Sequence, residues 1–148
     1  MTKLSNVHPI IVCWLKSEGL ERFKIIAVTH KTAKSEDIAK YYISDDKLDA
    51  KLKQIREEAG LDELMYLATC NRVEFLMVTD AIPNKRFLES FLLTLNPGFA
   101  GKLEDAVKQV AVYEGDDALL HLFNVTSSMD SMVVGEREII SQVRIAYE

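Results

Sequence analysis

Two apolar runs, residues 64–68 and 73–78, lie on either side of the polar tetrapeptide Thr69-Cys70-Asn71-Arg72, and this spacing constrains the chain more than any other feature. Both runs read as short strands, and four residues between them leave room only for a turn. Upstream, Phe23–Thr29 (FKIIAVT) is rich in β-branched residues and predicts a buried strand. Between these strands, Ser44 followed by Asp45 and Asp46 reads as an N-cap whose first turn suits the helix dipole. Leu48, Leu52, Ile55 and Ala59 then share one helical face, and Gly60 supplies the stop.

Beyond the strand pair, Pro83-Asn84 opens a helix with Phe87, Leu88, Phe91, Leu92 and Leu95 spaced for burial, and Asn96-Pro97-Gly98 ends it. Residues 110–113 form a last short strand. Gly115-Asp116-Asp117 then caps a helix through Ala118, Leu119, Leu122 and Phe123. From Glu136 the pattern is helical again, with Ile139, Ile140, Val143, Ala146 and Tyr147 on the apolar face. The order strand, helix, strand, strand, helix, strand is that of an α+β, ferredoxin-like βαββαβ sandwich followed by C-terminal helices. Residues 1–22 read as an N-terminal extension with a short apolar segment at 10–15, residues 23–134 as the main domain, and residues 135–148 as the start of a long connecting helix.

Composition narrows the function classes. At 148 residues and 48% hydrophobic content the chain is long enough to bury one core. A net charge of −5 argues against a surface that grips nucleic acid throughout, although a focused contact with one RNA end is compatible with it. The longest early apolar run, residues 9–15, falls far short of the ~20 residues that span a bilayer, and no secretory cleavage pattern follows it. Two cysteines without a CxxC, and no histidine at ligand spacing, favour neither a zinc site nor a disulfide framework. A cytoplasmic protein with free thiols is the expectation.

Cys70 is the first candidate for chemistry. A thiolate is the nucleophilic form of cysteine, and Arg72 two residues away would favour it. Thr69 and Asn71 can donate to a developing oxyanion, while Glu74 could instead pair with Arg72 and orient it. The alternative is an inert small hydrophobe at a strand end. His121, between Leu120 and Leu122, is either an acid–base group or a core histidine satisfied by a backbone carbonyl. His30, in His-Lys-Thr-Ala after the first strand, is open to the same two readings, with capping by Thr32 competing. Asp130 and Ser131 could hold a small polar substrate or cap a helix, and Glu136, Arg137, Glu138 and Gln142 read first as a solvated helix face. Cys13, between Val12 and Trp14, reads as packing.

Together these segments resemble glutamyl-tRNA reductase, the family that makes glutamate-1-semialdehyde for tetrapyrrole synthesis. Four stretches carry the match in the expected order: His30-Lys31-Thr32-Ala33; Thr69-Cys70-Asn71-Arg72 with Glu74; His121-Leu122-Phe123 leading to Asp130-Ser131; and Gly135-Glu136 with Gln142-Val143 and Ala146-Tyr147. The resemblance implies that Cys70 attacks the ester joining glutamate to the tRNA 3′ end and forms a thioester, which NADPH reduces to the aldehyde. It further implies that Thr69, Asn71 and Arg72 bind the glutamyl group and that His121 is the activity-linked histidine. Ser131, Glu136, Arg137, Glu138 and Gln142 become substrate contacts. Arg72 suits the substrate carboxylate, because a guanidinium fork matches that group. Partners implied are glutamyl-tRNA, a second copy of the chain, and the aminomutase that follows in the pathway.

The chain departs from the family pattern at Lys34, where proline is usual, at Ile38-Ala39 in place of Arg-Glu, at Ser128 in place of glycine, and at Arg137-Glu138 in place of Pro-Gln. No GxGxxG occurs, so the NADPH-binding domain is expected to lie beyond this chain, which would keep at most the acylation half-reaction. Two rival readings stay open: a thiol hydrolase or acyltransferase using Cys70 and His121 without nicotinamide, and a non-catalytic ferredoxin-like interaction module in which Cys70 is unreactive.

Overall fold

A computed structural model describes residues 19–127. Cys13, the segment 10–15, the helix expected from Glu136 and the boundary at 134/135 lie outside them. So do the expected contacts Ser131, Glu136, Arg137, Glu138 and Gln142.

The strands are β1 (Phe23–Thr29), β2 (Glu63–Thr69), β3 (Arg72–Val78) and β4 (Ala111–Glu114). The helices are α1 (Ser35–Ile38), α2 (Leu48–Ala59), α3 (Lys85–Leu95), α4 (Leu103–Lys108) and α5 (Gly115–Thr126). All pairings are antiparallel, in the order β2-β3-β1-β4. β3 therefore lies between β1 and β2 and splits the β1–α2–β2 unit, which is the arrangement the order of elements predicts. β1 and β3 are central and buried along their whole length, which explains why their sequences are nearly continuous apolar runs. Edge strand β2 is mostly only part-buried.

One face of the sheet carries the larger core. There Ile26, Val28, Val73, Phe75 and Met77 meet Ile55 of α2 and Leu88, Phe91, Leu92 and Leu95 of α3. Phe75 packs edge-on against Phe91, with ring centroids 5.1 Å apart. The other face is thinner: Phe23, Ile25, Ala27, Leu67 and Leu76 are covered by Ala118 and Val125 of α5.

The helix ends follow local chemistry, with three differences from expectation, one being that Gly115, Asp116 and Asp117 lie inside α5, whose N-cap is Glu114 without a side-chain bond. Asn84 caps α3 by accepting from the Phe87 amide at 3.0 Å. Gly60 ends α2 at φ 65, ψ 45, the left-handed conformation that glycine adopts without a Cβ penalty. Ser44, by contrast, precedes a 3-10 turn, Asp45–Lys47, and makes no side-chain capping bond; α2 proper starts at Leu48. The Ser44 carbonyl, not its hydroxyl, accepts the Lys47 amide at 2.9 Å. The helices α1 and α4 were not anticipated, since four and six residues are too few to show a helical period.

Candidate active site at the β2–β3 turn

Thr69 pairs with Arg72, so the strands are joined by Cys70 and Asn71 alone. Two side-chain and backbone bonds hold this corner. The Thr69 hydroxyl oxygen accepts from the Asn71 amide at 3.2 Å, and the Asn71 carbonyl accepts from the His30 amide at 3.0 Å. The second bond extends the β1–β3 ladder one step past Thr29. Cys70 is exposed at the tip, so the buried, inert alternative does not describe it. Tyr42 lies near: burial first, and then the negative charge of Cys70, push its phenol above the ordinary range.

Directly behind the turn, β3 brings charged groups into the sheet. Thr29, Arg72, Ala27 and Glu74 belong to the face that α5 covers, since Thr29 pairs with Arg72 and Ala27 with Glu74. The small Ala27 side chain leaves space beside Glu74. Arg72 is 1% exposed, and its Nη1 donates to Glu74 Oε1 at 2.6 Å. The second carboxylate oxygen, Oε2, lies 2.9 Å from His121 Nε2 on α5. Tyr113 of β4 stacks on the imidazole at 4.0 Å between centroids and 15° between planes. With a carboxylate as its partner, Nε2 is the donor, which leaves Nδ1 as the second functional nitrogen of His121.

The arrangement is an exposed thiol backed by a buried guanidinium–carboxylate–imidazole chain. Burying charges of both signs is costly unless they are paired and hydrogen-bonded, and Glu74 provides the pairing for both neighbours. Two details differ from the sequence reading. Arg72, expected beside the thiol as its cationic neighbour, is committed to Glu74 through Nη1, the orienting pair that was the alternative. His121 is satisfied by a carboxylate and not by a backbone carbonyl. Glu74 was expected only as the alternative partner of Arg72, without its second link to His121, and Tyr113 had no assigned role. The available signal for Glu74 was a single acid inside the otherwise apolar run of β3; nothing local marks Tyr113.

The His30-Lys31-Thr32-Ala33 segment forms a tight turn. The Thr32 hydroxyl accepts from the Thr29 amide at 3.1 Å, and the Thr29 carbonyl accepts from both the Thr32 and Ala33 amides. Thr32 thus closes the turn back onto Thr29 and does not cap α1, whose N-cap is Lys34 without a side-chain bond. Among the described residues no group of three or more His, Cys, Asp or Glu is placed to hold a metal ion, and no helix is long and apolar enough to cross a membrane. The Rossmann dinucleotide cradle is a glycine-rich turn from a parallel strand into a helix. The described sheet is antiparallel throughout and offers no such cradle.

Comparison with known proteins agrees with this geometry. Residues 26–148 match the family model described as glutamyl-tRNAGlu reductase, N-terminal domain. The chain is 34% identical over 122 residues to the glutamyl-tRNA reductase of Shouchella clausii, covering 82% of this chain and 26% of that protein. It is 38% identical over 125 residues to the glutamyl-tRNA reductase of Desulfotalea psychrophila, covering 83% and 28%. The solved structure of glutamyl-tRNA reductase from Methanopyrus kandleri superimposes with a TM-score of 0.61 at 31% identity, over 86% of this chain and 27% of that one. The chain thus spans between a quarter and a third of the length of these relatives. With the match running through β1, the Cys70 turn and α5, the chain belongs to the glutamyl-tRNA reductase family, in the part that forms its N-terminal domain.

Proposed function

We propose that this chain carries out the acyl-transfer half of glutamyl-tRNA reduction, with Cys70 as the nucleophile. The sulfur attacks the carbonyl carbon of the ester that links glutamate to the tRNA 3′ end. A carbon–sulfur bond forms, the carbon–oxygen bond breaks, and the tRNA leaves with its ribose hydroxyl restored. An aminoacyl ester is already activated, so a cysteine needs less help than a serine would. Thr69 and Asn71 bracket the sulfur and hold the glutamyl group beside it. Arg72, which the family resemblance proposes as a contact of the glutamyl group, is buried against Glu74 and so acts from behind the turn, as a positive charge that positions it. His121, tied to the other oxygen of Glu74, holds that carboxylate in place and so keeps Arg72 positioned behind the turn. Ser131, Glu136, Arg137, Glu138 and Gln142 remain the substrate contacts that the family resemblance proposes.

The observation carrying this reading is an exposed thiol on a two-residue turn whose second strand begins with a buried, fully compensated arginine. The name of the relatives, glutamyl-tRNA reductase, supports glutamyl-tRNA as the substrate and its reduction as the overall reaction; NADPH as the reductant of the thioester, a homodimer, hand-over to an aminomutase and the cytoplasm as the place of work are what the family resemblance proposes.

Intact-mass analysis after mixing the chain with glutamyl-tRNA tests the proposal. The wild type is expected to gain a glutamyl adduct that maps to Cys70, and Cys70→Ala to gain none. An unmodified wild type, or an adduct that persists in the variant, would overturn the acyl-transfer reading.

A further inference from the structure

Two histidines fall among the described residues, and the reading above uses only His121. The other, His30, stands one register step beyond β1. Thr29 pairs with Arg72, and the His30 amide donates to the Asn71 carbonyl, so His30 lies opposite the second corner of the Cys70 turn. Directly opposed residues of an antiparallel ladder lie about 5 Å apart, and diagonal neighbours about 7–8 Å, within reach of a long side chain. Cys70 is the next residue along the turn from Asn71, the residue His30 opposes.

Side-chain alternation separates the two imidazoles. Thr29, Arg72 and Glu74 share the face covered by α5, where His121 is engaged. His30, Asn71 and Cys70 are each one step further along and fall in phase with Val28, Val73 and Ala68 of the opposite face. Tyr42 follows Tyr41, which is buried in the core of that same face, and it senses the charge of Cys70. The sulfur therefore has its own set of neighbours, distinct from the Arg72–Glu74–His121 chain.

His30 is part-exposed, yet its Nδ1 is shut off from solvent and has no hydrogen-bond partner among the described residues. A buried nitrogen left in that state costs about 1–3 kcal/mol, so its retention calls for a reason. No other buried side-chain polar atom of the described residues is left so. A proton acceptor held near its donor, waiting for substrate to close the gap, has these properties, since catalytic hydrogen bonds are commonly long in free enzymes.

We propose that His30 accepts the thiol proton of Cys70 during acyl transfer, a role that rests on the acyl-transfer reading and adds a residue to it. The proton moves from sulfur to Nδ1, and the thiolate forms the carbon–sulfur bond. As the ester carbon–oxygen bond breaks, the imidazolium returns the same proton to the departing ribose oxygen, so no proton is gained or lost overall. The other charged and titratable groups around this corner are Lys31 and Lys34 on the adjoining turn, Tyr42 from the facing connection, and Arg72 with Glu74 and His121 behind it. The experiment must therefore separate His30 from all of these.

Alkylation of Cys70 by iodoacetamide, followed by peptide mass across the pH range in which histidine titrates, makes that separation in wild type, His30→Ala and His30→Asn. Asparagine places a hydrogen-bonding group near the position of Nδ1 but does not accept a proton there. Both variants are expected to lose the neutral-pH limb of the profile, with alkylation slowed at least about tenfold. Asn should keep the wild-type melting temperature. An unchanged profile in His30→Ala, or full restoration by His30→Asn, would show a structural residue and overturn the inference. Alkylation uses no tRNA, so a wild type that never forms the glutamyl adduct would sink acyl transfer while leaving this result readable on its own.

Discussion

Glu74 is the residue on which the candidate site depends, because it answers Arg72 with one oxygen and His121 with the other. Glu74→Gln keeps the shape and removes the negative charge that answers both Arg72 and His121. Breaking one partner of a buried pair typically costs about 3–5 kcal/mol, whereas replacing both by apolar residues is often close to neutral. Urea denaturation should therefore show a large loss of stability in Glu74→Gln and a smaller one in the double variant Arg72→Met/Glu74→Leu. A single variant as stable as wild type would mean that the pair is not charge-compensating. Cys70 itself lies outside this chain of bonds, so its substitution should leave the denaturation midpoint nearly unchanged.

The elements explain how polar residues come to sit in the middle of a buried strand. β3 is central, and the α5 side of it would be closed by apolar packing along its whole length if α5 carried only residues like Ala118 and Val125. One helical turn on from Ala118, His121 replaces the apolar contact and gives Glu74 a partner. On the other face, α2 fixes the entry into β2 through Gly60, whose left-handed turn lets the Leu61 amide reach back to the Arg56 carbonyl at 2.9 Å. An added Cβ there meets nothing within 4 Å, so any cost of Gly60→Ala comes from backbone strain alone. That cost is about 1–2 kcal/mol. The denaturation midpoint of Gly60→Ala should fall accordingly, with Gly60→Asn intermediate; equal midpoints would show that α2 ends some other way.

At the scale of the whole molecule, Tyr41 ties the connection after β1 to the far helices. Its hydroxyl lies 3.1 Å from the Ala106 carbonyl and 2.9 Å from Gln109 Oε1, and its ring packs on Phe99 with centroids 4.9 Å apart. Burial, helped by the charge of Asp37, pushes this phenol from the ordinary 10.0 up to about 12. Above 10.0 the unfolded chain releases the proton while the folded one keeps it, so ionisation pulls the equilibrium toward unfolding. The Tyr41 contribution is thus complete below 10.0 and is lost as pH climbs toward about 12. Tyr66 and Tyr42, also raised by burial, add to the same alkaline limb. Tyr41→Phe should cost about 1 kcal/mol at neutral pH and flatten that limb, as read from urea midpoints measured across it. A limb as steep as in the wild type would show that Tyr41 ionises normally.

Much of this was legible in the chain itself. FKIIAVT gave a strand with the observed limits, the apolar spacing of Phe87, Leu88, Phe91, Leu92 and Leu95 gave the buried stripe of α3, and four residues between two apolar runs gave the Cys70 turn. Such features follow from period, propensity and turn length, which depend only on neighbours in sequence. The motif around Cys70 was equally local. What the chain could not disclose is which charge answers which: Glu74 and His121 are 47 residues apart, and they meet only because α5 docks on one face of the sheet. Burial of that face also encloses the Arg72–Glu74 pair behind the thiol, and an extra ladder bond joins the His30 backbone to Asn71 in the turn. Pairing across a sheet is decided by register and packing, and those belong to the tertiary structure alone.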